Sequence, residues 1–236
     1  CIRDRFKEYK SLKVLDLRRN NISGKAAARL AQAFPSARAL EVLSGLPLRS
    51  YLDNPPATIE LTEMDLRLPE AILLRDTLAH TIKMTINRLD NYEITSSLTE
   101  LDLSTNLLDE GAMAVISSLV EAHSSLTSLN LSHNQAGPHG LAHLANMLSR
   151  NTWLTSLKIA ENDGTREGRN PDGVSSLSDA LRINRTLTHL DISENCIEEA
   201  KEREIQEKVS VNRAVNHTDQ SFCLLYTSPS PRDRVQ

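Results

Sequence analysis

Apolar residues recur along the chain in two alternating rhythms. The phrase Leu98-Thr-Glu-Leu101-Asp-Leu103-Ser-Thr-Asn106 returns 28 residues later as Leu126-Thr-Ser-Leu129-Asn-Leu131-Ser-His-Asn134. Further copies begin at Leu154 and Leu187 and close on Asn162 and Asn195, and an earlier one runs from Leu12 through Leu15 and Leu17 to Asn20. Within each phrase the fourth and sixth residues are apolar and alternate with polar ones, so they share one face of a short strand. The closing Asn ends the strand, where its amide can satisfy backbone groups of the turn. The rhythm then changes. Met113, Ile116 and Val120 align with Leu141, Leu144 and Leu148, with Val174, Leu177 and Leu181, and with Ala27, Leu30 and Phe34. Spacings of three and four make one stripe on a helix. The unit is strand, turn, helix, return, with strands expected near 14–17, 100–103, 128–131, 156–159 and 189–192. Helices are expected near 25–34, 70–82, 111–121, 139–149, 173–183 and 198–213.

A unit of this kind cannot bury its apolar faces alone, so neighbours must stack into a continuous core. The L-x-x-L-x-L-x-x-N phrase at this period resembles a leucine-rich repeat. Its helix-containing 28-residue form is similar to the ribonuclease-inhibitor class, also found in NOD-like receptors. The resemblance covers roughly residues 12–214 and implies an α/β fold: a right-handed solenoid, or horseshoe, with an inner parallel β-sheet and outer α-helices. It implies little about function, because one scaffold serves many partners.

The pattern fails in one long stretch. Leu40 and Leu43 arrive on schedule, but the phrase then breaks across Gly45-Leu-Pro47 and Asp53-Asn-Pro-Pro56. A second attempt appears at Ile59-Glu-Leu61, leading to Pro69-Glu70 and the stripe Ala71, Leu74, Leu78, which extends through Ile82 and Ile86 to Leu89. Pro and Glu suit the first turn of a helix. The expectation is one repeat with a loop insertion over about 44–58; a damaged or mis-assembled stretch is the alternative. A shorter insertion, 163–173, is turn chemistry throughout. It is read either as a solvated loop or as a finger carrying Arg166 and Arg169 to a partner.

Both ends look unnatural. Ile2, Phe6 and Tyr9 precede Leu12 as Leu144, Leu148 and Asn151 precede Leu154, so residues 1–11 read as part of a helix from a truncated upstream repeat. Thr218 and Gln220 stand where leucines are due, so the solenoid should stop after a polar capping helix and leave 215–236 as a tail. Within it, Cys223-Leu-Leu-Tyr-Thr-Ser-Pro-Ser-Pro-Arg-Asp233 resembles the translation of a transposase-type sequencing adapter, and 223–236 are set aside as an artefact.

Composition narrows the class. Aromatics are 3% of residues, as a leucine-built core requires, and the net charge is −4, or about −5 without the terminal segment. That acidity argues against nucleic acid. No run approaches the roughly 20 apolar residues of a membrane span. Cys1, Cys196 and Cys223 make no disulfide framework, which favours a cytoplasmic setting.

A search for chemistry returns little. Gly24-Lys25 fails as a phosphate loop because Arg19 and Ala26 stand where Gly and Ser or Thr belong. His139 and His143 lie one helical turn apart without a carboxylate or thiol beside them, so a solvated helix face is read in preference to a metal site. No catalytic residue, cofactor or metal is expected. The function expected is a non-catalytic protein-interaction module, the repeat region of a larger intracellular protein of NOD-like-receptor or scaffold type. The alternative is a GTPase activator similar to that of the nuclear-transport GTPase, with Arg18 and Arg19 as contacts. The residues flanking the inward leucines should line the concave surface: Asp16, Arg18, Arg19, Glu100, Asp102, Ser128, Asn130, His133, Lys158, Glu161, His189, Asp191 and Glu194. Six acids face three bases there, so a basic protein partner is expected. Trp153, the single tryptophan, is either an interaction anchor or packing over a neighbouring repeat. The oligomeric state is left open.

Overall fold

The computed structural model describes residues 11–88 and 98–227, with side chains for 11–79 and 98–215. The expected partial helix before residue 12, the stripe's end at Leu89 and the segment 228–236 lie outside the described residues. Seven short strands alternate with helices: β1 (Val14–Leu15), α1 (Gly24–Ala33), β2 (Val42–Leu43), α2 (Leu48–Asp53), β3 (Thr58–Glu60), α3 (Leu68–Arg88), β4 (Glu100–Asp102), α4 (Glu110–Ala122), β5 (Ser128–Asn130), α5 (Gly137–Leu148), β6 (Ser156–Lys158), α6 (Asp172–Ile183), β7 (His189–Asp191) and α7 (Glu199–Thr227). β3 to β7 form one parallel sheet in sequence order, and β1 pairs in parallel with β2. The register aligns Ile59, Leu101, Leu129, Leu157 and Leu190 across the sheet. All five are buried, while the strand residues on either side of them are exposed or half-buried. Each such leucine contributes on the order of 1.5–3 kcal/mol by leaving water. Behind the sheet, α3 to α7 pack in sequence, each against the next.

Four closing asparagines hold the stack together from β3 to β7, and all four have the same wiring. Asn134 Nδ2 donates to Leu131 O (2.9 Å) and Ser132 O (3.2 Å) of its own turn and to Leu103 O (3.0 Å) of the preceding repeat, while its Oδ1 accepts from Leu108 N (3.0 Å). Asn106, Asn162 and Asn195 repeat this arrangement. A threonine row runs beside it. The hydroxyls of Thr99, Thr127, Thr155 and Thr188 each donate to a carbonyl of the preceding unit.

Residues 44–58 are not the plain loop expected from the sequence. Ser44 (φ 51°) and Gly45 (φ 79°) adopt left-handed conformations and turn the chain back, so that Leu43 and Leu46 exchange backbone hydrogen bonds. The turn stops β2 after two residues, and the six-residue α2 replaces a full repeat helix. Leu43, Leu46, Leu48 and Tyr51 are buried and join the continuous core of the repeats. Arg49 pins it to the end of α1, donating to Phe34 O (3.3 Å) and Ala37 O (2.8 Å) with its guanidinium 5.0 Å from the Phe34 ring centre. With no full helix in that unit, α1 packs directly on α3.

At the other end α7 covers the open edge of β7. Ile205 and Val209 are buried, Gln206 donates to Leu190 O (3.2 Å), and Arg213 donates twice to Thr188 O. Glu204 receives Lys201, Lys208 and the Ser178 hydroxyl, which together hold its carboxyl near a pKa of about 2. The expected end of this helix at residue 213 is corrected: the backbone continues helical to Thr227, through the first residues of the adapter-like segment. Among the described residues no helix is long and apolar enough to cross a membrane.

Candidate functional site

On a strand whose central residue is buried, the flanking residues must point the other way. The register therefore lays two polar rows along the open face of the sheet, opposite the buried leucines, which is the face expected to be concave. One is Thr58, Glu100, Ser128, Ser156 and His189; the other is Glu60, Asp102, Asn130, Lys158 and Asp191. A third row lies at the turn after each strand, where Arg19, Glu63, Thr105, His133, Glu161 and Glu194 all have φ between 49° and 62°. The same conformation at the same place in six repeats belongs to the turn itself, so it marks no particular residue as functional. The residues of the sequence list that belong to β4–β7 and their turns thus come together on one sheet face, while Asp16, Arg18 and Arg19 follow β1 of the separate two-stranded sheet and Trp153 lies elsewhere.

Glu60 and Glu63 were missed. Met64 stands where the repeat's closing asparagine belongs, which hid the phrase, although Ile59-Glu-Leu61 was its visible remnant. Adding them raises the carboxylates on the face to eight, against Arg18, Arg19 and Lys158. Four of these, Glu60, Glu63, Glu100 and Asp102, crowd onto β3, β4 and the adjoining turn, with no lysine or arginine on either strand and Lys158 two strands away.

Several of the charged groups also serve the fold. Asp102 Oδ1 accepts from the Ser104 backbone N–H (2.8 Å) and hydroxyl (2.6 Å), closing a small turn at the strand end, and Asp191 does the same with Ser193. Asn130 fills the same role toward Ser132 N (3.1 Å) and also donates to Asp102 Oδ2 (2.9 Å). Asp16 is gripped by the Arg18 guanidinium and backbone N–H, which lower its pKa to about 2. Arg18 also donates to Met64 O (3.2 Å), and Arg19 pairs with Asp65, whose pKa is lowered as a result. The two arginines thus bridge the place where the insert interrupts the stack. His133 Nδ1 lies 3.0 Å from the Glu161 carboxylate, both half-exposed. Lys158 has no ion pair among the described residues.

Trp153 sits elsewhere, on the edge where α5 hands the chain to β6, and is 51% exposed. In the 163–173 insertion, Thr165 is buried and donates to Asn195 O (2.9 Å) and Cys196 O (3.1 Å), and Arg169 pairs with Glu167. His139 and His143 are exposed on α5. Among the described residues no group of three or more His, Cys, Asp or Glu is placed to hold a metal.

The family model described as Leucine Rich repeat matches residues 10–31, 122–145 and 184–199. No curated protein matches the chain by sequence. Among solved structures, Leiomodin-1 Actin-Binding Site 2 is similar at a TM-score of 0.61 and 18% identity, over 78% of this chain and 97% of that one. The tropomodulin C-terminal domain of Caenorhabditis elegans aligns at a TM-score of 0.42 and 13% identity, over 92% of this chain and 95% of that one. The matched repeats, the parallel sheet and the leiomodin-1 likeness agree on the fold: a leucine-rich-repeat solenoid in which parallel strands alternate with helices.

Proposed function

We propose that the chain is a non-catalytic protein-interaction module whose concave sheet face receives a partner presenting lysine and arginine. The observation that carries this is the imbalance on that face: eight carboxylates against three cations, two of which are engaged inside the chain. The sheet holds these groups in fixed register, so little ordering is needed on binding. Their field would steer a basic partner toward β3 and β4. The leiomodin-1 domain, described as an actin-binding site, supports a solenoid of this shape as a protein-docking scaffold.

The fuller reading is the repeat region of a larger cytoplasmic protein of NOD-like-receptor or scaffold type, without a cofactor and binding neither nucleic acid nor membrane. The 28-residue helix-containing repeat and the sparse cysteines support it. The GTPase-activator alternative needs Arg18 or Arg19 to reach outward, and both are engaged within the chain. The test is a peptide-display selection against the whole chain, with and without Glu60→Gln, Glu63→Gln, Glu100→Gln and Asp102→Asn together. Asn at 102 keeps the strand-end turn, as Asn130 does. Lysine- and arginine-rich peptides should enrich on the parent chain and be lost on the variant. Equal enrichment on both places the binding surface elsewhere.

A further inference from the structure

The edge on which each helix hands the chain to the next strand is chemically the reverse of the sheet face. A second row of buried amides orders it. Asn184 Nδ2 donates to Leu148 O and Asn151 O (both 2.9 Å), and Asn212 Nδ2 donates to Asn184 O (3.0 Å) and Leu187 O (3.1 Å). These bonds set residues 149–155, 182–188 and 210–215 side by side. The three segments contain no Asp or Glu, and they carry Arg150, Arg182, Arg185 and Arg213. Arg150 pairs with Glu121, and Arg213 is turned onto the Thr188 carbonyl. Arg182 reaches Asp179 only at 3.9 Å, and Arg185 has no ion pair among the described residues.

The same segments hold most of the large apolar side chains that the described residues expose: Trp153 at 51%, Ile183 at 66% and Val211 at 54%, together with Val215. Only Val14 lies elsewhere. Ile183 and Val211 each precede a bonded asparagine, so they occupy equivalent places one repeat apart. Ile183 also borders a shallow groove between α5 and α6, whose lining includes Ala142, Ala145 and Ala180.

We infer that this edge is a second docking surface, taking a protein segment in which Asp or Glu alternates with large apolar residues. Arg185, and Arg182 with only a long contact to Asp179, are the guanidinium groups left to take a partner's carboxylates. An exposed tryptophan flanked by aliphatic side chains is the anchor type that gains most when an apolar partner excludes water. Nucleic acid fits less well: its phosphates offer nothing to Ile183 and Val211, and the chain's net charge of −4 opposes a polyanion. A second copy's concave face would supply carboxylates without large apolar side chains between them. The inference uses no residue of the concave face and stands apart from the function proposed for it.

The experiment is fluorescence anisotropy with the whole chain and a labelled synthetic peptide in which Glu and Asp alternate with Leu and Phe. Saturable binding is expected, weakened about tenfold or more by Trp153→Ala and by Ile183→Ser with Arg185→Ser. Glu100→Gln with Asp102→Asn should leave it unchanged, which separates this surface from the concave one. These edge side chains are exposed, so melting temperatures should hold; if Trp153→Ala melts lower, the Ile183 and Arg185 pair decides. The inference is overturned if the peptide does not bind, if it binds all variants equally, or if a lysine-substituted peptide binds as well. It is also overturned if the edge variants abolish only oligonucleotide binding or only self-association seen by sedimentation.

Discussion

Asn162 shows why this chain repeats a residue that is neither apolar nor catalytic. Its amide donates to Leu131 O, Ile159 O and Ala160 O and accepts from Ala136 N, joining two repeats at a point closed to water. Removing it orphans several buried backbone groups at about 1–3 kcal/mol each. Asn162→Ala should therefore destabilise by on the order of 3 kcal/mol or more in urea unfolding. Asn20 is the control: it is exposed and, among the described residues, bonds only locally, to Leu17 O and Arg18 O, so Asn20→Ala should change stability by less than about 1 kcal/mol. Equal effects would contradict the ladder. His123, at the end of α4, takes the place before the next repeat that Asn151, Asn184 and Asn212 take later. Burial lowers its pKa below the usual imidazole value, with Nδ1 2.8 Å from Leu119 O. The unfolded chain then binds the proton more readily, so stability should be full above about pH 6.5 and fall as pH drops below it. His123→Asn should flatten that loss between pH 7.5 and 5 in denaturant titrations; an unchanged slope would assign the loss to other groups.

At the scale of elements, what could be read from the sequence tracks how well each unit kept its phrase. β4 to β7, the helices α4 to α6 and the start of α7 lie within a few residues of where the leucine spacing puts them, because period 2 and period 3.6 each leave only one buried face. The 40–57 segment was not legible as β2 and α2. Its turn depends on positive φ at Ser44 and Gly45, and its anchor is a side-chain contact from Arg49 to the end of α1, neither of which leaves a periodic trace. The exit of α7 was missed for a related reason: residues beyond 213 carry no repeat stripe, and a helix can continue without one. The fit between α5 and α6 also rests on a residue the stripe does not include. A Cβ at Gly173 would lie 2.2 Å from Pro138 O and 2.9 Å from Leu141 Cβ. Backbone cannot swing aside as a side chain can, so Gly173→Ala should destabilise by about 1–3 kcal/mol or more. A thermal melt matching the parent would show that the two helices separate more readily than this packing implies.

At the scale of the whole molecule, charge is segregated between the faces of a repeat scaffold. The polarity of the concave face was legible in advance, since polar residues must flank each inward leucine. It could not give the full acidity of that face, because Glu60 and Glu63 belong to the repeat whose asparagine became Met64. Nor could it show that Asp16, Asp102 and Asp191 also close strand-end turns, a role that accounts for part of the acidic excess without any partner. Among the described residues Glu60, Glu63 and Glu100 close no such turn, so they bear most directly on function. The decisive measurement is the association rate of a display-selected basic peptide with the parent chain and with the Glu60, Glu63, Glu100 and Asp102 neutralised variant, across a salt series. Steering by the face predicts association slowed about tenfold at low salt in the variant, with the two rates converging as salt rises. Rates that match at every salt concentration would contradict the claim that the concave face is where this protein meets its partner.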